Sequence, residues 1–217
     1  MSSVLPDAVL QRAIEEEDRC FRENPDSNVK AFLDRLRNLG FQFSVSVQVK
    51  QFMPKHKDTI LPLAVQYYDQ AVLSNERCYF ISLMRYPCCK EVVPKLLDAF
   101  RRCTEAGERE RLSECIYSIH DKDYAEEYLS IVSTAEYGIH RAMFILLLGR
   151  IKYRKAIGAI AALLQNPQLC KYAISALGDY REKELEPYFV RFADSDDPYL
   201  SRYAKQALAK LHSDRKK

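Results

Sequence analysis

Five basic residues stand at nearly equal intervals along the chain: Arg77, Arg109, Arg141, Lys171 and Arg202, separated by 32, 32, 30 and 31 positions. Cations repeated at such a spacing have two uses. They can follow the phosphates of a nucleic acid laid along a groove. They can also donate charge-assisted hydrogen bonds to carbonyls and carboxylates within the repeating unit, as internal braces. Glu76 beside Arg77, and Glu108 and Glu110 on either side of Arg109, weaken the phosphate track. A second set, Tyr86, Arg150, Tyr153, Arg154 and Tyr180, falls in the joints between units, with Gly149-Arg-Ile-Lys-Tyr-Arg-Lys155 as its most basic stretch. Tyr and Arg are the types that most often anchor interfaces. These joints form the expected binding edge, against the alternative of solvated loops with tyrosines tucked onto neighbouring helices.

Catalytic chemistry finds no comparable set. The sequence holds no G-x-S-x-G, no H-E-x-x-H and no phosphate-binding glycine loop. Its four histidines, His56, His120, His140 and His212, are widely spread. The seven cysteines, Cys20, Cys78, Cys88, Cys89, Cys103, Cys115 and Cys170, include no C-x-x-C pair. Neither a metal nor a cofactor is expected, and the cysteines read as packed or half-packed free thiols. Cys88 and Cys89 are adjacent and could bridge each other only through a strained ring, which predicts independent thiols, one turned in and one out.

With 33 basic and 30 acidic residues the net charge is +3, so no whole-chain field points at nucleic acid. The longest apolar run, 142–148, is far below the roughly 20 residues that span a bilayer. Met1-Ser-Ser-Val-Leu-Pro-Asp lacks the basic start and apolar core of a secretory signal. A cytoplasmic protein without a membrane partner is the expectation.

The elements that would position these residues are helical. Ala176-Leu-Gly-Asp179 aligns with Ala207-Leu-Ala-Lys210, and Lys171-Tyr-Ala173 with Arg202-Tyr-Ala204, both at an offset of 31. A fixed period of this length with an apolar helix pattern inside it marks a stack of helical hairpins. First helices are expected from about residues 59, 91, 124, 155 and 183, second helices from about 75, 107, 137, 168 and 198. Pro62, Pro94 and Pro187 keep phase at the first turns of first helices. Residues 57–212 thus read as about five hairpins, 1–56 as a helical N-terminal cap ending its second helix at Gly40, and 213–217 as a basic tail. Between residues 41 and 52 a strand period (Phe41, Phe43, Val45, Val47, Val49) competes with a helical one (Val45, Val49, Phe52), and the helical surroundings favour a short helix.

On Leu-Pro-Leu (61–63), Val-Pro-Lys-Leu-Leu (93–97), Leu148-Gly149, Ala176-Leu-Gly-Asp179, Glu186-Pro-Tyr188, the segment from Asp196 to Ala204, and Ala207-Leu208, the sequence resembles the HEAT-repeat family. It is more similar to the short-repeat subgroup that includes the phycobilin-lyase-like repeats. The resemblance covers about 59–212 and implies an all-α, α/α superhelix. It also implies a structural role for the ladder arginines, which in the family bond to an acidic residue and the inter-helix turn; Asp196 would then pair with Arg202. The expected function is a non-catalytic scaffold that binds another protein or peptide through its inner groove and loop edge. A nucleic-acid-binding repeat protein is the alternative, and a lyase-like enzyme is further off.

Overall fold

The computed structural model describes residues 6–213. Twelve α-helices joined by short turns make up these residues, and no strand occurs among them. No single helix there is long and apolar enough to cross a membrane. The chain divides into two compact units, Met1–Ile119 and His120–Lys217.

The first unit holds α1 (Asp7–Glu23), α2 (Asn28–Asn38), α3 (Lys57–Gln70), α4 (Ser74–Leu83), α5 (Val93–Arg102) and α6 (Ala106–Ile119). Ser27 starts α2 by accepting from the amides of Val29 and Lys30, and Gly40, at φ +91°, ends it in the left-handed region. Phe32 of α2 is fully buried, its ring edge-on to Tyr67, Tyr79 and Phe80 at centroid distances of 5.6, 6.3 and 5.4 Å. The expected cap helix α2 therefore packs on the first hairpin, against both α3 and α4, and α4 packs on α6. Residues 41–52 resolve into a 3-10 turn at Ser46–Phe52. Its backbone donors are served locally: Gln48 Oε1 accepts from Ser44 N at 2.7 Å, and Glu17 of α1 accepts from Ser46 N at 2.9 Å. With those donors satisfied and Val45 and Val49 buried, the segment has no use for a strand partner.

Pro94 and Pro187 each lie at the second residue of their helix, where a missing N–H costs nothing. Pro62 departs from that phase. It lies inside α3, past the first turn, because the helix already begins at Lys57.

The second unit holds α7 (Ala125–Ser133), α8 (Ala142–Arg150), α9 (Ile157–Ala162), α10 (Cys170–Tyr180), α11 (Glu186–Ala193) and α12 (Pro198–Ser213). They pair as α7/α8, α9/α10 and α11/α12, and α10 lies between α8 and α12, packed on both. Small residues set these spacings. A Cβ on Gly149 of α8 would meet the backbone of α10, 2.6 Å from Ala176 O and 2.7 Å from Ala176 Cα. One on Gly178 of α10 would meet Ala207 of α12, 2.8 Å from its Cβ and 3.2 Å from its Cα. The glycine of one hairpin thus receives the alanine of the next, and the Asp179–Lys210 ion pair at 2.5 Å adds a polar contact between the same two helices. The basic tail expected at 213–217 lies, beyond Ser213, outside the described residues.

Gly149→Ala should lower the stability of this unit by about 2 kcal/mol, because the added methyl is driven into backbone that cannot rotate away. Gly178→Ala should cost less, since it meets a methyl first. Gly158 has open space around it on α9, and its replacement by alanine should stabilise by about 0.5 kcal/mol through helix propensity. Urea unfolding of the three variants checks the order, and equal midpoints for all three would contradict the close approach.

Candidate functional site

The basic ladder separates into two kinds of residue. Arg77 donates from Nη1 to Ala71 O at 3.2 Å and Val72 O at 2.6 Å, the carbonyls just beyond α3. Its Nε and Nη2 close on Glu108 of α6, at 2.8 Å in each case to Oε2. Arg109 donates to Cys103 O, just beyond α5. Arg141, only 6% exposed, donates to Val132 O in the last turn of α7 and to Gly138 O, both at 3.1 Å. Helix C-termini leave carbonyls without partners, and these three guanidinium groups answer that need in three successive hairpins.

Lys171 and Arg202 keep the spacing but not the role. Both are exposed. Lys171 Nζ lies 5.0 Å from the centroid of the Tyr172 ring, and the Arg202 guanidinium lies 5.3 and 5.6 Å from those of Tyr203 and Tyr199. The expected Asp196–Arg202 pair does not form. Asp197 caps α12 by accepting from Tyr199 N at 2.8 Å and Leu200 N at 3.3 Å, which sets the helix phase. In that phase Ser201, one residue ahead of the ladder position, donates to the end of α11 at Ala193 O (2.6 Å), and Arg202 turns outward. These two cations are not internal braces.

The joints of the second unit do come together, though not as an open rim. Tyr180 is buried, and its hydroxyl donates to Leu148 O at 3.2 Å and Tyr153 O at 2.9 Å. Burial pushes that phenol well above its ordinary range. It ties two joints together and offers a partner no free group, which corrects its expected place at the edge. Arg154, exposed, pairs with Glu182 at 3.1 Å. Glu126 takes Lys155 at 2.6 Å and the Tyr153 hydroxyl, contacts that hold its carboxyl below the usual range. Arg150 is exposed at the end of α8. Tyr86 belongs to the first unit, half-buried, with its hydroxyl on Lys50 O at 2.8 Å.

What gathers on α10 and α12 is a face of mixed chemistry. Asp179 and Lys210 pair across the two helices, and Tyr172 and Tyr203 each lie seven residues earlier, about two turns up the same side. Lys171 and Arg202 stand directly before these tyrosines. Tyr199 is 63% exposed, and Lys205 and Gln206 continue the exposed surface along α12. The tyrosines and the two cations belong to the aligned repeat segments, but nothing in a spacing tells a braced cation from a released one. Buried Glu76 and Glu108, read in the sequence only as acids beside Arg77 and Arg109, have structural roles that this reading did not give them. Glu76 of α4 accepts from Ser27 Oγ at 2.6 Å, Asn28 N at 2.9 Å and Asn28 Nδ2 at 3.1 Å, closing the start of α2 from outside. Their 32-residue offset matches the ladder, but the two do different work: Glu108 pairs with Arg77 and Glu76 caps α2.

Removing Arg141 would strand the buried carbonyl of Val132, so Arg141→Ala should lower stability by about 2 to 3 kcal/mol, and Arg77→Ala should act in the same direction. Lys171→Ala and Arg202→Ala should stay within about 0.5 kcal/mol of the parent chain. Thermal and urea unfolding distinguish the groups, and an equal loss at all four positions would contradict the division.

Compared with known proteins, the chain matches no family model and no curated protein.

Proposed function

We propose that this chain is a HEAT-like helical-repeat protein and a non-catalytic scaffold, and that the face of α10 and α12 receives a segment of another protein. The repeat reading is supported by the succession of α8, α10 and α12, each set against the next through small residues. The observation that carries the binding reading is the release of Lys171 and Arg202 from the ladder's bracing role onto tyrosine rings, Tyr199 exposed and Tyr172 and Tyr203 half-buried.

A cation resting on an aromatic ring is held in place at modest entropic cost while its outward N–H groups remain available. A partner carboxylate would pair with Lys171 or Arg202, and an adjacent apolar side chain would lie against Tyr172, Tyr199 or Tyr203. Tyr and Arg together are the residue types that concentrate binding energy at interfaces. A phosphate backbone suits the surface less well. Arg77, Arg109 and Arg141 are committed to carbonyls, and a strand needs a longer run of free cations to track.

Selection from a displayed random-peptide library should enrich sequences with Asp or Glu beside Phe, Tyr or Leu. Lys171→Glu with Arg202→Glu should weaken an enriched peptide by at least about tenfold. Arg150→Ala with Tyr153→Ala and Arg154→Ala, at the joints, should weaken it by less than about threefold. An equal loss from both sets would contradict the assignment to α10 and α12. Tight binding of a mixed-sequence oligonucleotide that falls steeply with salt would favour the nucleic-acid reading instead.

A further inference from the structure

The adjacent pair Cys88-Cys89 lies far from this face in sequence, in the joint between α4 and α5. The Tyr86–Cys89 turn is closed by Cys89 N donating to Tyr86 O at 2.9 Å, with Pro87 in its bend. Cys88 is exposed and Cys89 is fully buried, one out and one in as their separate thiols would require. Their sulfurs nevertheless touch, at 3.9 Å. Lys57 of α3 pairs at 2.7 Å with Glu91, two residues beyond Cys89. An exposed thiol with a second sulfur in contact behind it is the arrangement of an attacking and a resolving cysteine.

We propose that Cys88-Cys89 is a site of reversible oxidation by hydroperoxides, which convert the two thiols into a disulfide between neighbouring residues. The Cys88 thiolate attacks the terminal oxygen of the peroxide. A sulfur–oxygen bond forms, the O–O bond breaks, and the leaving alkoxide or hydroxide takes up a proton as alcohol or water. Cys88 is then a sulfenic acid. The Cys89 sulfur attacks the Cys88 sulfur, the S–S bond forms, and the sulfenic oxygen leaves with the Cys89 proton as water. Two thiols and one hydroperoxide give one disulfide, one alcohol or water, and one water, with two electrons passing from sulfur to the O–O bond.

Burial raises the Cys89 thiol to about 12, with Cys88 alongside as a smaller cause, so Cys89 stays protonated at neutral pH and the first attack falls to Cys88. Closing the bond brings the sulfurs from 3.9 Å to about 2.05 Å, and the buried one must shift toward the surface. The neighbouring contacts of that joint, Tyr86 on Lys50 O and Lys57 on Glu91, are the ones such a shift would strain. Oxidation is therefore expected to reach the packing of the first unit.

The test is peptide mass analysis of the full-length chain after graded hydrogen peroxide, with free thiols blocked before digestion. The peptide holding residues 88 and 89 should lose the mass of two hydrogens within one chain and regain it with dithiothreitol. Cys89→Ser should abolish that loss and leave a single-oxygen adduct at Cys88 that a dimedone probe captures. Cys115 of α6 is the other fully buried thiol of the first unit, so Cys115→Ser is the control and should leave the loss unchanged. Thiols that stay reduced, a bridge from Cys89 to Cys115, or oxidation of Cys88 alone beyond the sulfenic stage would each overturn the proposal.

Discussion

The closest constraint in this protein is the approach of consecutive helices in the second unit, where Gly149 admits Ala176 and Gly178 admits Ala207. No side chain larger than a hydrogen fits at the two glycines without moving backbone or the facing alanine. The contact fixes how far α10 stands from α8 and from α12, and so fixes the rotation of each helix about its own axis. Ala173, Ile174 and Leu177 of α10 must then point inward, and Lys171 is left outside with Ser175 half-buried. The exposed face is a consequence of the packing. Its composition is free to differ from one protein to another, which makes it a suitable place for the proposed binding chemistry.

Polar contacts carry the same division of labour. Helix ends must satisfy their last carbonyls, and three arginines of the ladder do this by reaching back across their own hairpins. Arg77 adds a carboxylate from the next hairpin, so one guanidinium closes a turn and ties α4 to α6. Where a shorter residue takes over, as Ser201 does for α11, the cation at the ladder position is released. The joints follow a related logic: His120, Lys152 and Arg181 follow α6, α8 and α10 in the left-handed region, with φ of 45°, 54° and 58°. Non-glycine residues pay a small conformational cost there.

Much of the helical order was legible because it rests on local signals. Ser27 and Asp197 cap helices where sequence rules place them, and the Gly40 terminator appears where the apolar period stops. Pro62 falls outside the first turn because α3 begins at Lys57, two residues before the start expected near 59. The ladder was visible as a spacing, and Arg77, Arg109 and Arg141 of it bond carbonyls at helix ends. Asp196 was misplaced as a partner because capping by Asp197 decides the phase of α12, and Tyr180 because burial is set by tertiary contacts. Glu76 is harder still to read, since its three donors lie 48 and 49 residues upstream. Long-range capping of this kind has no local sequence pattern.

The central claim is that ladder cations released from the hairpin interior form the binding face. Nuclear magnetic resonance tests it most directly, by titrating an acidic-aromatic peptide into the isotope-labelled chain and following backbone amides and tyrosine rings. The account predicts perturbations concentrated at Lys171, Tyr172, Tyr199, Arg202 and Tyr203, with the amides around Arg77, Arg109 and Arg141 unmoved. Saturable shifts confined to the joints at 150–155 and 180–184, with α10 and α12 silent, would contradict it.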